Sequence, residues 1–176
     1  MPSAFQLQFP ASEIPVLAAR FPALDDGATH RLGAAARARG YYRRAEFLVV
    51  CAWKTPRSRP KVQANSPRAI RAATTIALSP ASSEQTRMEA LTSLEGVGVP
   101  TASTLLYVAF PADYPILDVR ALHALGHKPR SVYPTSYWLA YLEACRGLAA
   151  EHGVSLRTLD KALWQWSKER PPVSGR

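Results

Sequence analysis

Cysteine is scarce in this sequence of 176 residues, since only Cys51 and Cys145 occur, in unrelated contexts. Two such cysteines exclude a disulfide scaffold and any cysteine-rich zinc or iron–sulfur site. Long apolar runs are also missing, because none approaches the roughly 18 residues that a membrane helix needs. Residues 1–15 lack the basic start and apolar core of a signal peptide. We therefore expect a cytoplasmic protein with no membrane partner, no metal and no other cofactor.

Negative charge is scarce as well. The 13 Asp and Glu residues stand against 22 Lys and Arg residues, which leaves a formal net charge of +9. Such an excess favours a polyanionic partner, usually nucleic acid, and arginine binds phosphate with a planar fork. A soluble protein that is basic for other reasons is the alternative. The share of hydrophobic residues, 47%, and of charged residues, 20%, is typical of a globular chain.

The apolar periodicity predicts one all-α domain of seven or eight helices over residues 25–170. An irregular arm over residues 1–24 precedes it, with room for a short helix near 13–20, and a flexible tail over 171–176 follows. Ser66 and Pro67 predict the N-cap and first position of one helix, and Gly40 the end of another. Trp164 and Trp166 are two positions apart, so we expect that only one of them faces the core and that the other packs against the N-terminal arm or lies at a partner surface.

A basic segment follows the apolar stretch that ends at residue 53. Its cations, four within eight residues, are Lys54, Arg57, Arg59 and Lys61. Pro56 and Pro60 predict a loop over residues 55–65, on which these cations can face one phosphate backbone. A solvated basic loop is the alternative. Trp53 and Tyr42 are the candidates for stacking on a base, whereas most aromatic side chains are expected in or near the core.

Residues 94–102, Leu-Glu-Gly-Val-Gly-Val-Pro-Thr-Ala, lie between two apolar helices. Gly96 and Gly98 bracket Val97, so one helix must stop at Gly96 and the next restart almost at once, with Pro100 in its first turn. Such a turn leaves backbone N–H groups at a helix N-terminus, where the helix dipole favours an anion. A phosphate can approach closely because the glycines carry no side chain. Any pair of antiparallel helices can use Gly-X-Gly, but the nine-residue pattern is more specific.

Asp118 stands 20 residues after Gly98, in the sequence Tyr-Pro-Ile-Leu-Asp-Val-Arg. This aspartate and the hairpin together resemble the helix-hairpin-helix DNA glycosylase superfamily, over about residues 83–126. The resemblance implies a helix-hairpin-helix DNA glycosylase-like helical bundle. It also implies that Asp118 is catalytic and that Gly96, Val97 and Gly98 bind the DNA backbone. A carboxylate beside C1′ would stabilise the positive charge that forms on the sugar when the base leaves.

The resemblance further implies a monofunctional DNA glycosylase in base excision repair. Bifunctional members have a Schiff-base lysine just after the hairpin, where this chain has Pro100. The implied partner is duplex DNA, bound without sequence specificity by a monomeric protein. Full glycosylases place more helices between the early apolar helix and the hairpin, and those helices help to build the base pocket. The stretch of about 40 residues in this chain is short by comparison.

Alternatives remain for the residues around Asp118. Aspartate is a preferred N-cap, so Asp118 can serve only to cap a helix, or it can pair with Arg120. Arg120 is itself a candidate contact to the DNA backbone. His123 and His127 have a spacing that suits metal ligands, but without an evident third ligand we expect exposed or capping histidines. The alternative function is a non-catalytic DNA-binding protein that reuses the glycosylase fold, and a third is a basic partner of an acidic protein.

Overall fold

The regular structure is entirely helical in the residues that the structure, a computed structural model, describes, namely 5–22 and 27–170. No strand occurs in those ranges, so the all-α class is confirmed. The helices are α1 (Ile14–Arg20), α2 (Gly27–Arg39), α3 (Arg44–Lys54), α4 (Arg59–Gln63), α5 (Pro67–Leu78), α6 (Glu84–Thr92), α7 (Val99–Ala109), α8 (Val119–Ala124), α9 (Thr135–Glu151) and α10 (Leu156–Glu169). None of these is long and apolar enough to cross a membrane. The whole predicted tail and residues 1–4 and 23–24 of the predicted arm lie outside the described residues.

The ten helices within the described ranges exceed the predicted seven or eight, and α4 contributes to the difference. It lies in the segment predicted to be a loop, and a single 3-10 turn, Pro56–Ser58, precedes it. Pro56 and Pro60 both stand in the first turn of their element. Proline is tolerated there because the first N–H groups of a helix have no intrahelical acceptor. The loop prediction was therefore wrong for residues 56–63.

Helix α7 lies at the centre of the core. Ten of its eleven residues are buried, and it contacts α2, α3, α5 and α6. Helix α2 packs tightly against it at Gly33, where an added Cβ would lie 1.9 Å from the carbonyl oxygen of Val108. This close approach fixes the position of α7. The hairpin before α7 and the segment before Asp118 both depend on that position.

The turn between α6 and α7 is held by glycine geometry and by a buried asparagine. Gly96 has a φ of +74°, and a Cβ on it would lie 2.7 Å from the Cβ of Lys61 on α4. Asn65, which is buried, donates its side-chain amide to the carbonyl of Glu95 and accepts from the N–H of Glu95, both at 2.9 Å. Val97 is buried beneath the turn. The sequence reading missed Asn65, which anchors the hairpin to α4.

The N-terminal segment packs against α10 and the end of α8. Helix α1 lies against α10, and the N–H groups of Gln6 and Gln8 donate to carbonyls at the end of α8. Phe9 stacks on Trp166 with ring centroids 5.7 Å apart, and Phe21 meets Trp164 edge-on at 5.1 Å. Both tryptophans are half-buried. Trp166 packs against the hydrophobic core, whereas Trp164 packs against Phe21 of the N-terminal segment, so the prediction that only one of the two faces the core is confirmed.

Candidate active site

An open cavity of about 200 Å³ lies where the start of α8, the end of α3 and helix α10 meet. Its polar lining consists of two cations and two carboxylates: Lys54, Asp118, Arg157 and Asp160. The remaining walls are aromatic or aliphatic. A concave site with a few polar groups among apolar walls is the usual form of a binding pocket for a small molecule or a base.

Asp118 is held rigidly at the edge of this cavity. It caps α8, and its Oδ1 accepts a hydrogen bond of 2.8 Å from the N–H of Arg120. The two residues before it are fixed as well. The N–H of Leu117 donates to Ser103 Oγ at 2.9 Å, and the hydroxyl of Tyr141 donates to the carbonyl of Ile116 at 2.8 Å. The capping role of Asp118 is thus present, and it leaves the second carboxylate oxygen facing the cavity.

Lys54 forms a hydrogen bond and an ion pair with that second oxygen. Its Nζ donates to Asp118 Oδ2 at 3.2 Å, across 64 residues of sequence, and only 15% of its side chain is exposed. The sequence reading placed Lys54 with Arg57, Arg59 and Lys61 on one DNA-binding segment. The structure separates them, because Lys54 ends α3 and turns into the cavity while the other three are exposed. Lys54 therefore belongs to the cavity and not to the exposed basic surface formed by the other three cations.

Arg157 and Asp160 form a second ion pair in the cavity, which the sequence reading did not identify. Arg157 Nη1 donates to Asp160 Oδ2 at 2.8 Å, one turn apart on α10. Only 8% of Asp160 is exposed, and burial raises its pKa from 3.8 to about 6, because Arg157 and Lys54 offset only part of the desolvation. The sequence does contain a signal for Asp160: it lies at helical spacing from the buried leucines of α10, where a charged residue is unexpected.

The aromatic candidates separate into one at the cavity and one in the core. Trp53 lines the cavity and is 39% exposed, so its indole remains open to a partner. Trp164, missed as a site residue, lines it too, and the Arg120 guanidinium lies 5.1 Å from its ring centroid. Tyr42 is 1% exposed, and its hydroxyl donates to the carbonyl of Leu105 at 2.8 Å. Tyr42 is thus a core residue that a base cannot reach.

The hairpin presents backbone N–H groups on a shallow, open surface. Gly98 is exposed and caps α7, and a Cβ added to it would meet only Pro100 Cδ, at 3.7 Å. Within the described ranges, the N–H groups of Gly96 and Gly98 have no acceptor, whereas that of Val97 donates to the carbonyl of Leu94. Lys61 borders the same depression. The predicted anion site therefore keeps two glycine amides, gains Lys61 and loses the Val97 amide.

The expectation of exposed or capping histidines after Asp118 was wrong, because His123 and His127 are both half-buried and each pairs with a side chain on α9 or α10. His123 Nδ1 lies 2.9 Å from Ser167 Oγ, and His127 Nδ1 lies 3.0 Å from the hydroxyl of Tyr137. No cluster of three or more potential metal ligands occurs in the part of the chain that the structure describes.

The titration of Asp160 predicts a pH-dependent stability. Because its folded-state pKa of about 6 exceeds the ordinary value of 3.8, the folded protein holds this proton to higher pH. The contribution of Asp160 to the unfolding free energy is therefore most favourable below pH 4 and declines as the pH rises through 4 to 6. Asp160→Asn removes this decline and retains an acceptor for Arg157. We expect the stability of the variant relative to wild type to rise by about 2 kcal/mol from pH 4 to pH 7. Urea unfolding at several pH values measures it, and a constant difference would contradict the buried-acid assignment.

No protein-family model, no curated protein and no solved structure matches the chain.

Proposed function

We propose that this protein is a monofunctional DNA glycosylase of helix-hairpin-helix type, which cleaves the bond between the sugar and a damaged or mismatched base. The observation that carries the proposal is the position of Asp118, a fixed carboxylate at the edge of a cavity with an open indole, Trp53, beside it. A flipped base needs an aromatic surface to stack on, and the cation that develops at C1′ needs a carboxylate.

The link between the hairpin and the cavity supports this proposal. The hairpin opens α7, and Ser103, four residues into that helix, accepts the N–H of Leu117 next to Asp118. Four residues of helix span roughly 6 Å. A phosphate held at Gly96 and Gly98 would therefore be kept at a fixed position relative to Asp118. The net charge of +9 and the exposed Arg57 and Arg59 would add sequence-independent attraction to the duplex.

The test is an excision assay on labelled duplexes that carry uracil, an alkylated purine, 8-oxoguanine or a G·T mismatch. We expect the purified protein to excise at least one of these bases and to leave an abasic site that breaks only after alkali. Strand breakage without alkali would contradict the monofunctional assignment and direct attention to the amine of Lys54. Absence of excision on every duplex would count against the proposed glycosylase activity.

A second candidate is a DNA-binding protein without catalysis, and the ion pair between Asp118 and Lys54 favours it. An aspartate that caps a helix and neutralises a half-buried lysine has a structural role without any substrate. This candidate predicts salt-sensitive binding to duplexes with and without a lesion, and no abasic product. The excision assay and a binding titration on the same duplexes separate the two candidates.

Both candidates predict that the hairpin binds phosphate. Gly98→Trp should weaken binding to duplex DNA by roughly tenfold, because the indole would cover the amides and remove at least one charge-assisted hydrogen bond. Gly147→Trp is the matched control, since Gly147 is exposed on α9 with nothing within 4 Å of an added Cβ. Fluorescence anisotropy at two salt concentrations measures the affinities. Equal affinity of the two folded variants would remove the hairpin from the DNA interface.

A further inference from the structure

The two carboxyl groups of the cavity are held in different ways. Asp118 accepts hydrogen bonds from Lys54 Nζ and from the N–H of Arg120, one at each oxygen. Asp160 accepts from Arg157 at Oδ2, and no hydrogen bond to its Oδ1 is formed among the described residues. Asp118 is thus built to remain an acceptor, whereas Asp160, which is far more buried, keeps one oxygen free to carry a proton.

Pairs of carboxyl groups with such different surroundings divide the work in sugar chemistry. One stabilises the cation at C1′, and the other protonates the group that leaves. Departing bases differ in their need for that proton. A purine alkylated at N7 or N3 is already cationic and leaves as a neutral molecule, whereas an uncharged base leaves as an anion unless it is protonated.

We propose that Asp160 donates a proton to the departing base, and that the substrates are accordingly uncharged bases rather than cationic alkylated purines. This inference rests on the glycosylase function proposed above and adds the substrate class to it. The location of Asp160 supports it: the residue lines the same cavity as Asp118 and Trp53, on the opposite helix α10. Its burial raises its pKa to about 6, so that a usable fraction is protonated near neutral pH.

The reaction balances with water as the only co-reactant. The bond between C1′ and the base nitrogen breaks, and its electron pair goes to the base. The proton of the Asp160 carboxyl group moves to a nitrogen or oxygen of that base, which leaves as a neutral molecule. A water molecule adds to C1′, and the proton that it loses restores the carboxyl group of Asp160 through solvent.

The charged surroundings of Asp160 come from several helices. Arg157 on α10 lowers its pKa, as does Lys54 at the end of α3, and Asp118 at the start of α8 raises it. On α9, Tyr141 and Cys145 are buried beside Asp160, and the pKa of each hydroxyl or thiol is raised, chiefly by burial. Those two groups remain neutral over the pH range of the test.

The experiment measures single-turnover rates of excision by wild type and by Asp160→Asn. The two substrates are a duplex with uracil and a duplex with 7-methylguanine. Because a general acid contributes about 10²-fold or more to the rate, we expect Asp160→Asn to lower the rate of uracil excision by about that factor. The rate of wild type on uracil should fall about tenfold per pH unit above the pKa of the acid, and the variant should lose this dependence. Asp160→Glu should recover part of the rate, and Asp113→Asn, an exposed carboxyl outside the cavity, should change nothing.

Each outcome bears on the proposal. Wild type that excises only 7-methylguanine, equal losses on both substrates in Asp160→Asn, or a pH profile that the substitution leaves unchanged would each overturn it. The glycosylase function would survive all three, because excision by wild type would still be observed. If wild type processes uracil alone, the pH profile and the recovery by Asp160→Glu decide. Failure of wild type on both duplexes and on the wider panel would remove the proposed function, and this inference with it.

Discussion

Asp118→Asn is expected to lower the rate of base excision by about 10³-fold, because it removes the negative charge that would stabilise the cation at C1′. Stability should fall moderately. Asparagine caps helices as well as aspartate does, so the hydrogen bond from the N–H of Arg120 can persist. Lys54, of whose side chain only 15% is exposed, loses its charged partner, and we expect this loss to cost about 1–3 kcal/mol.

Single-turnover excision and thermal unfolding measure the two effects separately. The control is Asp113→Asn, which makes the same chemical change on an exposed loop outside the cavity. DNA affinity of Asp118→Asn should remain within about threefold of wild type, since the hairpin and its amides are untouched. Excision at the wild-type rate in a folded Asp118→Asn protein would rule out the proposed mechanism and leave Asp118 with the role of a helix cap.

Gly33→Ala is expected to destabilise the fold strongly, because there is no room between α2 and α7 for the methyl group that it adds. The new Cβ would lie 1.9 Å from the carbonyl oxygen of Val108 and 2.6 Å from a methyl group of the same residue. Backbone atoms cannot rotate away, so α2 and α7 must separate. Overpacking of this kind costs about 3 kcal/mol, which corresponds to a fall of about 10 °C in Tm for a chain of this size.

Gly147→Ala provides the matched control for Gly33→Ala. Gly147 is also inside a helix, α9, but it is exposed and nothing lies within 4 Å of an added Cβ. Alanine is the better helix former, so this variant should gain about 0.5–1 kcal/mol. Urea unfolding of both variants gives the comparison. A Gly33→Ala protein as stable as Gly147→Ala would mean that α2 and α7 do not pack as closely as described.

The prediction of helices succeeded where the signals are local. Ser66 accepts the N–H of Ala69 as the N-cap of α5, and Gly40 has a φ of +88° after the end of α2. It failed at residues 56–63, because proline breaks a helix interior and equally well begins a helix, and the composition does not distinguish the two positions.

Local patterns in the sequence were sufficient to predict the all-helical class, the turn at Gly96 and the capping position of Asp118. Each depends on interactions within a few residues, such as a positive φ or a side chain that bonds the next turn. The groups that surround Asp118, in contrast, come from distant parts of the chain. Lys54 reaches it across 64 residues, and Asp160 joins the same cavity from α10. Those neighbours are set by how helices pack, as at the contact of Gly33 with α7, and no local pattern records that packing.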